Sequence, residues 1–161
     1  MRTLDHVEDP IHLLDIAIRD VESFKKRAET DPSLEFCVDS WHRIRQDVCY
    51  ACVAGSVMAG ELRVPDRASV KPSHFGFRTS HQLRLLDQIR CGDTFEMSKT
   101  LARLRWAGRW CDALKAAKAC LNIPCSGALY DGEVHAFKTY RDCLIAQADA
   151  AALPYERLKA E

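Results

Sequence analysis

The chain has 161 residues, 47% hydrophobic and 29% charged, with 23 basic and 23 acidic side chains and a formal net charge of zero. Those proportions exclude a collagen, a low-complexity disordered chain and a coiled-coil rod. The balance of charge excludes a global field steering the molecule to nucleic acid, an anionic membrane or an acidic substrate.

A chain of this length buries roughly 70% of its unfolded surface, so one domain spanning residues 1–161 is expected. Asp9-Pro10 reads as an N-cap followed by proline at the first helical position. Ile11, Leu14, Ile18, Val21, Phe24 and Ala28 then recur at helical spacing until Asp31-Pro32, which predicts a first helix over 10–30. Residues 33–46 read as a loop with a short helix that tucks Phe36 and Trp41 inward. From Asp47, the run DVCYACVAGSVMAGEL is dominated by small residues and predicts a central, all-round buried helix that stops at Gly60. Two glycines inside it, Gly55 among them, each cost about 1 kcal/mol against alanine, which close packing must repay.

Residues 61–78, with Pro65, Pro72 and Gly76, predict a surface loop anchored by Phe75 and Phe77. A helix over 79–91 follows, N-capped by Thr79 or Ser80 and ended by Gly92. Asp93 and Glu96 then open a stretch that reads as helix through Leu121, kinked or broken at Gly108, with Asn122-Ile-Pro124 ending it. The last helix is expected from about Asp131 to Leu153, before Pro154. No segment shows the alternation of a strand. The expectation is therefore an all-α, compact single-domain bundle of about five or six helices.

Charge is unevenly spread. Residues 1–47 carry 7 basic and 11 acidic side chains, whereas residues 78–118 carry 9 and 4. Within the basic helical region 79–121, Arg103, Arg105, Arg109, Lys115 and Lys118 interleave with Trp106 and Trp110. Arg and Trp together serve both nucleic-acid faces and protein hot spots, so Arg103, Arg105, Trp106, Arg109, Lys115 and Lys118 are the candidate partner-binding residues. Helical phasing puts Trp110 with Leu104, Cys111, Leu114 and Ala117 on a core side and leaves Trp106 flanking the basic edge. The bland alternative is a solvated basic face whose Arg stems cover apolar surface.

Residues 80–118 also admit a helix-turn-helix reading, with a nucleic-acid-binding regulator as the function. Against it, Ser98 falls where a buried aliphatic belongs, and Asp93 and Glu96 place negative charge near phosphates. An ordinary helical hairpin explains the same pattern.

Eight cysteines make up about 5% of the chain, short of a disulfide scaffold. The start, MRTLDHVEDP, has acids where an export signal needs an apolar run, so a cytoplasmic chain with reduced thiols is expected. No apolar run is long enough to cross a membrane. Cys49-x-x-Cys52 has the spacing of a zinc or redox pair, which gives a small zinc-binding protein as a further alternative. The remaining zinc candidates, Cys120, Cys125, His74 and His81, lack ligand spacing, and a redox pair belongs between a strand and a helix rather than inside a helix. No metal and no cofactor are therefore assigned. GxSxG, GK[ST], HExxH and GxGxxG are all missing from the sequence, and Asp131 and Glu133 read as helix-start residues. No enzyme and no catalytic residue are expected.

The segments FCVDSW (36–41), ACVAG (51–55) and LLDQIRCGD (85–93), in that order, resemble a recurring layout in small uncharacterised phage and prophage proteins. In that layout a helix begins C-G-T-x-x-C-x-A-G, where this chain has Asp47-Val48-Cys49. The resemblance implies a mobile-element origin, a helical fold and a place in the host cytoplasm. With it, the leading expectation is a non-enzymatic protein that binds a host macromolecule, with a component of an antiviral defence system as the class of target.

Overall fold

The computed structural model describes residues 2–37, 41–90, 94–119 and 130–159. It is mainly helical with one small sheet. In chain order the elements are α1 (Pro10–Ala28), β1 (Leu34–Phe36), β2 (His42–Arg45), β3 (Val48–Ala51), α2 (Val53–Ala59), a single 3-10 turn (Pro72–His74), α3 (Phe77–Arg90), α4 (Thr94–Leu104), α5 (Gly108–Ala119) and α6 (Tyr130–Ala150). One cluster of buried side chains runs from Leu4 to Leu153.

α1 begins as its sequence dictates: the Asp9 carboxylate accepts from the His12 N–H at 2.8 Å, and Pro10 follows at the first helical position. Every residue from Pro10 to Ile18 is buried, because segments from both ends of the chain cover this helix. On one side Thr79 accepts from the Leu4 N–H at 3.1 Å, and the Gln82 amide donates to the carbonyls of Leu4 and Val7. On the other, residues 156–158 lie against Asp9 and Asp15.

The strands correct the purely helical expectation. β3 is central in the order β1-β3-β2, parallel to β1 and antiparallel to β2, with Leu34 opposite Cys49 and Arg45 opposite Val48. The short helix expected within 33–46 is replaced by β1 and β2, and the helix expected from Asp47 starts only at Val53. The β2–β3 connection is the two-residue turn Gln46-Asp47, with φ of 52° and 62°. A type I′ hairpin needs both central residues left-handed, a demand that normally selects Asn or Gly. Gln-Asp meets it without that signature. The sheet closes a satellite core of Phe24, Leu34, Cys49 and Ala51.

α2 is buried from Val53 to Met58, so the expected central burial holds over a shorter helix. Trp41 is partly buried and its carbonyl lies directly against Gly55. Phe75 is buried as expected, but Phe77 opens α3 and is 65% exposed. Thr79 and Ser80 are not the N-cap: they lie inside α3, where the Thr79 hydroxyl serves the N-terminal segment. Gly92, Asp93 and the 122–124 stop fall outside the described residues.

The long helix expected from Asp93 is two helices, and the break precedes Gly108, which is the first residue of α5. Arg105 has φ of 58°, and the Trp106 N–H reaches back to the Leu101 carbonyl at 3.3 Å. This is the six-to-one bond of a Schellman C-cap, with arginine in the left-handed position that glycine usually takes. α6 ends the same way, with Ala152 at φ 55° and the Leu153 N–H on the Ala148 carbonyl at 2.9 Å. A left-handed residue with a Cβ costs roughly 1–2 kcal/mol. Ala152→Gly should therefore raise stability by about 0.5–1 kcal/mol in chemical denaturation, after allowing for the extra freedom of glycine in the unfolded chain. A loss of stability would show that the strain is not there.

Candidate functional site

The turn between α4 and α5 sets out the exposed basic residues. Its inner side is apolar: Met97, Leu101, Leu104, Trp110, Ala113, Leu114 and Ala117 are all buried. Trp110 thus sits in the core as phasing predicts. Trp106 does not flank a basic edge in the open. The Schellman turn directs it inward, where it is 8% exposed and its Nε1–H has no hydrogen-bond partner among the described residues.

The five cations divide into two groups. Arg109 donates to the Ala151 carbonyl and ties α5 to the end of α6. The Lys118 ammonium donates to the Gln88 carbonyl at 2.8 Å, while the Gln88 side chain accepts from the Thr100 hydroxyl at 2.7 Å, so this lysine helps to link α3, α4 and α5. By contrast Arg103, Arg105 and Lys115 are exposed and make no hydrogen bond or ion pair among the described residues.

Sequence reasoning passed over two neighbours of this group. Phe95 is 65% exposed, and the Lys99 ammonium lies over its ring at 4.5 Å from the centroid. Phe95, Lys99 and Arg103 are spaced four apart and so form one outward stripe on α4. That spacing was available from the sequence once α4 was separated from α5. Ser98, which stands where a helix-turn-helix wants a buried aliphatic, is half-buried: its hydroxyl donates to the Thr94 carbonyl at 2.8 Å and lies 3.0 Å from the Cys111 sulfur.

The Cys49-x-x-Cys52 motif is not embedded in a helix. Cys49 lies in the central strand, and Cys52 is the N-cap of α2, accepting from the Gly55 N–H at 3.4 Å. This is the strand-to-helix junction that the redox reading asks for. The thiols themselves argue the other way, since they belong to different clusters of the core. Burial pushes the Cys49 thiol up to about 11 and the Cys52 thiol up to about 12, so both are protonated at neutral pH. A reactive thiol needs the opposite shift and access to solvent.

His42 stands beside Cys49 with its Nε2 at 3.5 Å from the sulfur, and its Nδ1 lies 2.6 Å from the Ala68 carbonyl. That carbonyl fixes the tautomer with the proton on Nδ1 and leaves Nε2 to accept from the thiol. Burial holds the His42 pKa below its usual value. A nucleophilic pair would be a thiolate and an imidazolium, whereas this one is neutral and buried, a hydrogen bond within the fold. His74 and His81 bond locally, to the Lys71 N–H and toward the Phe77 carbonyl. Among the described residues no group of three or more His, Cys, Asp or Glu could hold a metal ion. Cys120, Cys125 and the side chains of Asp131 and Glu133 lie outside those residues.

Among the described residues no helix is long and apolar enough to cross a membrane. The α4–α5 corner sets three cations without a hydrogen bond or ion pair among the described residues beside an exposed Phe95–Lys99 pair. No protein-family model, curated protein or solved structure matches the chain.

Proposed function

We propose that the protein is a non-enzymatic, phage-type binding protein that occupies an acidic surface on a host protein through the α4–α5 corner. A component of an antiviral defence system is the class of target, a reading that rests on the polarised charge together with the resemblance to phage proteins. One observation carries the reading: Arg105 holds a strained left-handed position where glycine would be easier, yet its exposed side chain makes no hydrogen bond or ion pair among the described residues. A strained residue whose charged side chain has no polar partner within the fold is a candidate for a contact outside it. Arg103 and Lys115 add unpaired charge, and Phe95 adds an aromatic anchor of the kind that dominates interface energies.

The test is capture of partners from host lysate by the wild-type chain and by Arg103→Glu combined with Arg105→Glu. A specific protein retained by the wild type and lost, by tenfold or more, with the charge-reversed form supports the reading. Equal retention by both forms refutes it.

The single variant Arg105→Gly adds a sharper prediction. It should gain roughly 0.5–1 kcal/mol of stability while losing partner affinity, two effects of opposite sign that a purely structural arginine would not give. Binding of a DNA or RNA strand that weakens steeply with salt, and that is lost in the same double reversal, would favour the nucleic-acid regulator instead.

A further inference from the structure

A second site lies away from the α4–α5 corner, in a cleft of about 410 Å³ between β2 and the segment that leads into the 3-10 turn. Trp41, His42 and Arg43 line one side, and Ser69, Val70, Lys71 and His74 line the other. The volume falls within the usual range for small-molecule pockets, roughly 300–1,000 Å³.

Hydrogen bonds tie the two walls together. The Val70 N–H donates to the His42 carbonyl at 2.8 Å, and the Ile44 N–H donates to the Ser69 hydroxyl at 3.0 Å. The His42 ring is bonded to the Ala68 carbonyl, which ties the same two segments together once more. Trp41 is held from behind, because its carbonyl abuts Gly55. A ligand entering here meets a prepared surface, which lowers the ordering cost of binding.

The chemistry of the walls is one-sided. Arg43 and Lys71 are exposed and make no ion pair among the described residues, and none of the described lining residues is a carboxylate. The Lys71 N–H donates to Nδ1 of His74 at 3.1 Å, which leaves the other ring nitrogen of His74 as a donor. Ser69, having accepted from Ile44, retains its own proton to give. Two cations and two neutral donors match the oxygens of a phosphate, for which a guanidinium is shaped and an ammonium serves as a point charge. Trp41 supplies what a bare phosphate would not use, a partly buried aromatic side chain on which a flat ring can stack.

We infer that this cleft binds a nucleoside mono- or diphosphate, with the phosphate on Arg43 and Lys71 and the base on Trp41. The inference stands apart from the α4–α5 corner, and neither requires the other.

Titration of the full chain with ADP, adenosine and inorganic phosphate, followed by calorimetry and tryptophan fluorescence, tests it. Trp106 and Trp110 are buried, so quenching by a ligand reports mainly on Trp41. ADP should bind saturably, with adenosine and phosphate each at least about tenfold weaker. Arg43→Ala and Lys71→Ala should each weaken ADP about tenfold, the loss expected for one charge-assisted contact. Both positions are exposed, so folding should be unaffected and circular dichroism unchanged. Trp41→Phe should abolish the quenching while calorimetry still registers ADP. The inference is overturned if ADP shows no saturable binding by either method, or if Arg43→Ala and Lys71→Ala bind it as the wild type does. It is equally overturned if a twelve-residue oligothymidylate binds more tightly than ADP in an Arg43-dependent way, since the cleft would then be part of a nucleic-acid track.

Discussion

Replacing Gly55 with alanine is expected to cost about 3 kcal/mol or more, and to leave little folded protein at 37 °C if the wild type has ordinary stability. An added Cβ would stand 1.4 Å from the Trp41 carbonyl oxygen, 2.6 Å from its carbon and 3.0 Å from the Ala51 Cβ. None of these is the flexible end of a side chain. The carbonyl cannot retreat easily, because the next residue, His42, is paired to Ala51 on one side and to Val70 on the other. Relief must come from moving α2 off the sheet, which opens the core between them. Urea denaturation of Gly55→Ala measures the loss, and a change within about 0.5 kcal/mol of wild type would mean that α2 and Trp41 do not approach this closely. The same substitution should displace Trp41 and so disturb the cleft, whereas the α4–α5 corner lies on other helices and should be unaffected in whatever fraction still folds.

The second large effect is expected at Asp15. Its carboxylate is buried and accepts from Arg157 Nε at 2.8 Å, from a terminal nitrogen of Arg157 at 3.2 Å, from Arg141 at 3.3 Å and from the Leu158 N–H at 3.0 Å. Asn in its place keeps the shape, removes the charge and turns an amide donor toward two guanidinium groups. Breaking a buried pair costs about 3–5 kcal/mol, and the half-exposed Arg157 reduces that here to about 2–3 kcal/mol, since its charge can rehydrate. Loss of the charge that holds Arg157 should also loosen the C-terminal segment, leaving the backbone bonds of Leu158 to residue 15 and of Glu156 to Asp9 as its ties on this side of α1. Limited proteolysis of Asp15→Asn should cut within residues 154–159 at least tenfold faster than in the wild type, with circular dichroism of the helices little changed. Equal cleavage rates would mean that the charge of Asp15 does not hold the segment.

These two sites also show why the chain yields its helices more readily than its sheet. α1 is legible because Asp9-Pro10 fixes its start by a local bond and six apolar residues repeat at its period. α6 is legible from its stripe. The hairpin escapes because strands of four residues are too short to show alternation, and because the turn places Gln46 and Asp47 in left-handed conformations that neither residue advertises. The break at Arg105 escapes for the same reason, and with it the fate of Trp106: a helix continued through Gly108 leaves the indole at the basic edge, whereas a Schellman turn folds it inward.

At the candidate site, composition identified the exposed Arg103, Arg105 and Lys115. It could not distinguish them from Arg109 and Lys118, whose partners are backbone carbonyls of Ala151 and Gln88. Such acceptors are everywhere in a sequence, and only the tertiary arrangement decides which cation meets one. Thr79 makes a related point: a residue that looks like a helix cap is used instead to hold the N-terminal segment from 75 positions away.

The measurement that bears most directly on the proposed function is amide hydrogen exchange of the full chain, free and with its captured partner bound. Slowed exchange centred on residues 99–116, with Arg103→Glu plus Arg105→Glu abolishing it, is the result predicted. Protection confined to residues 41–74, or to the ends of the chain, with the α4–α5 corner exchanging as in the free protein, would contradict it.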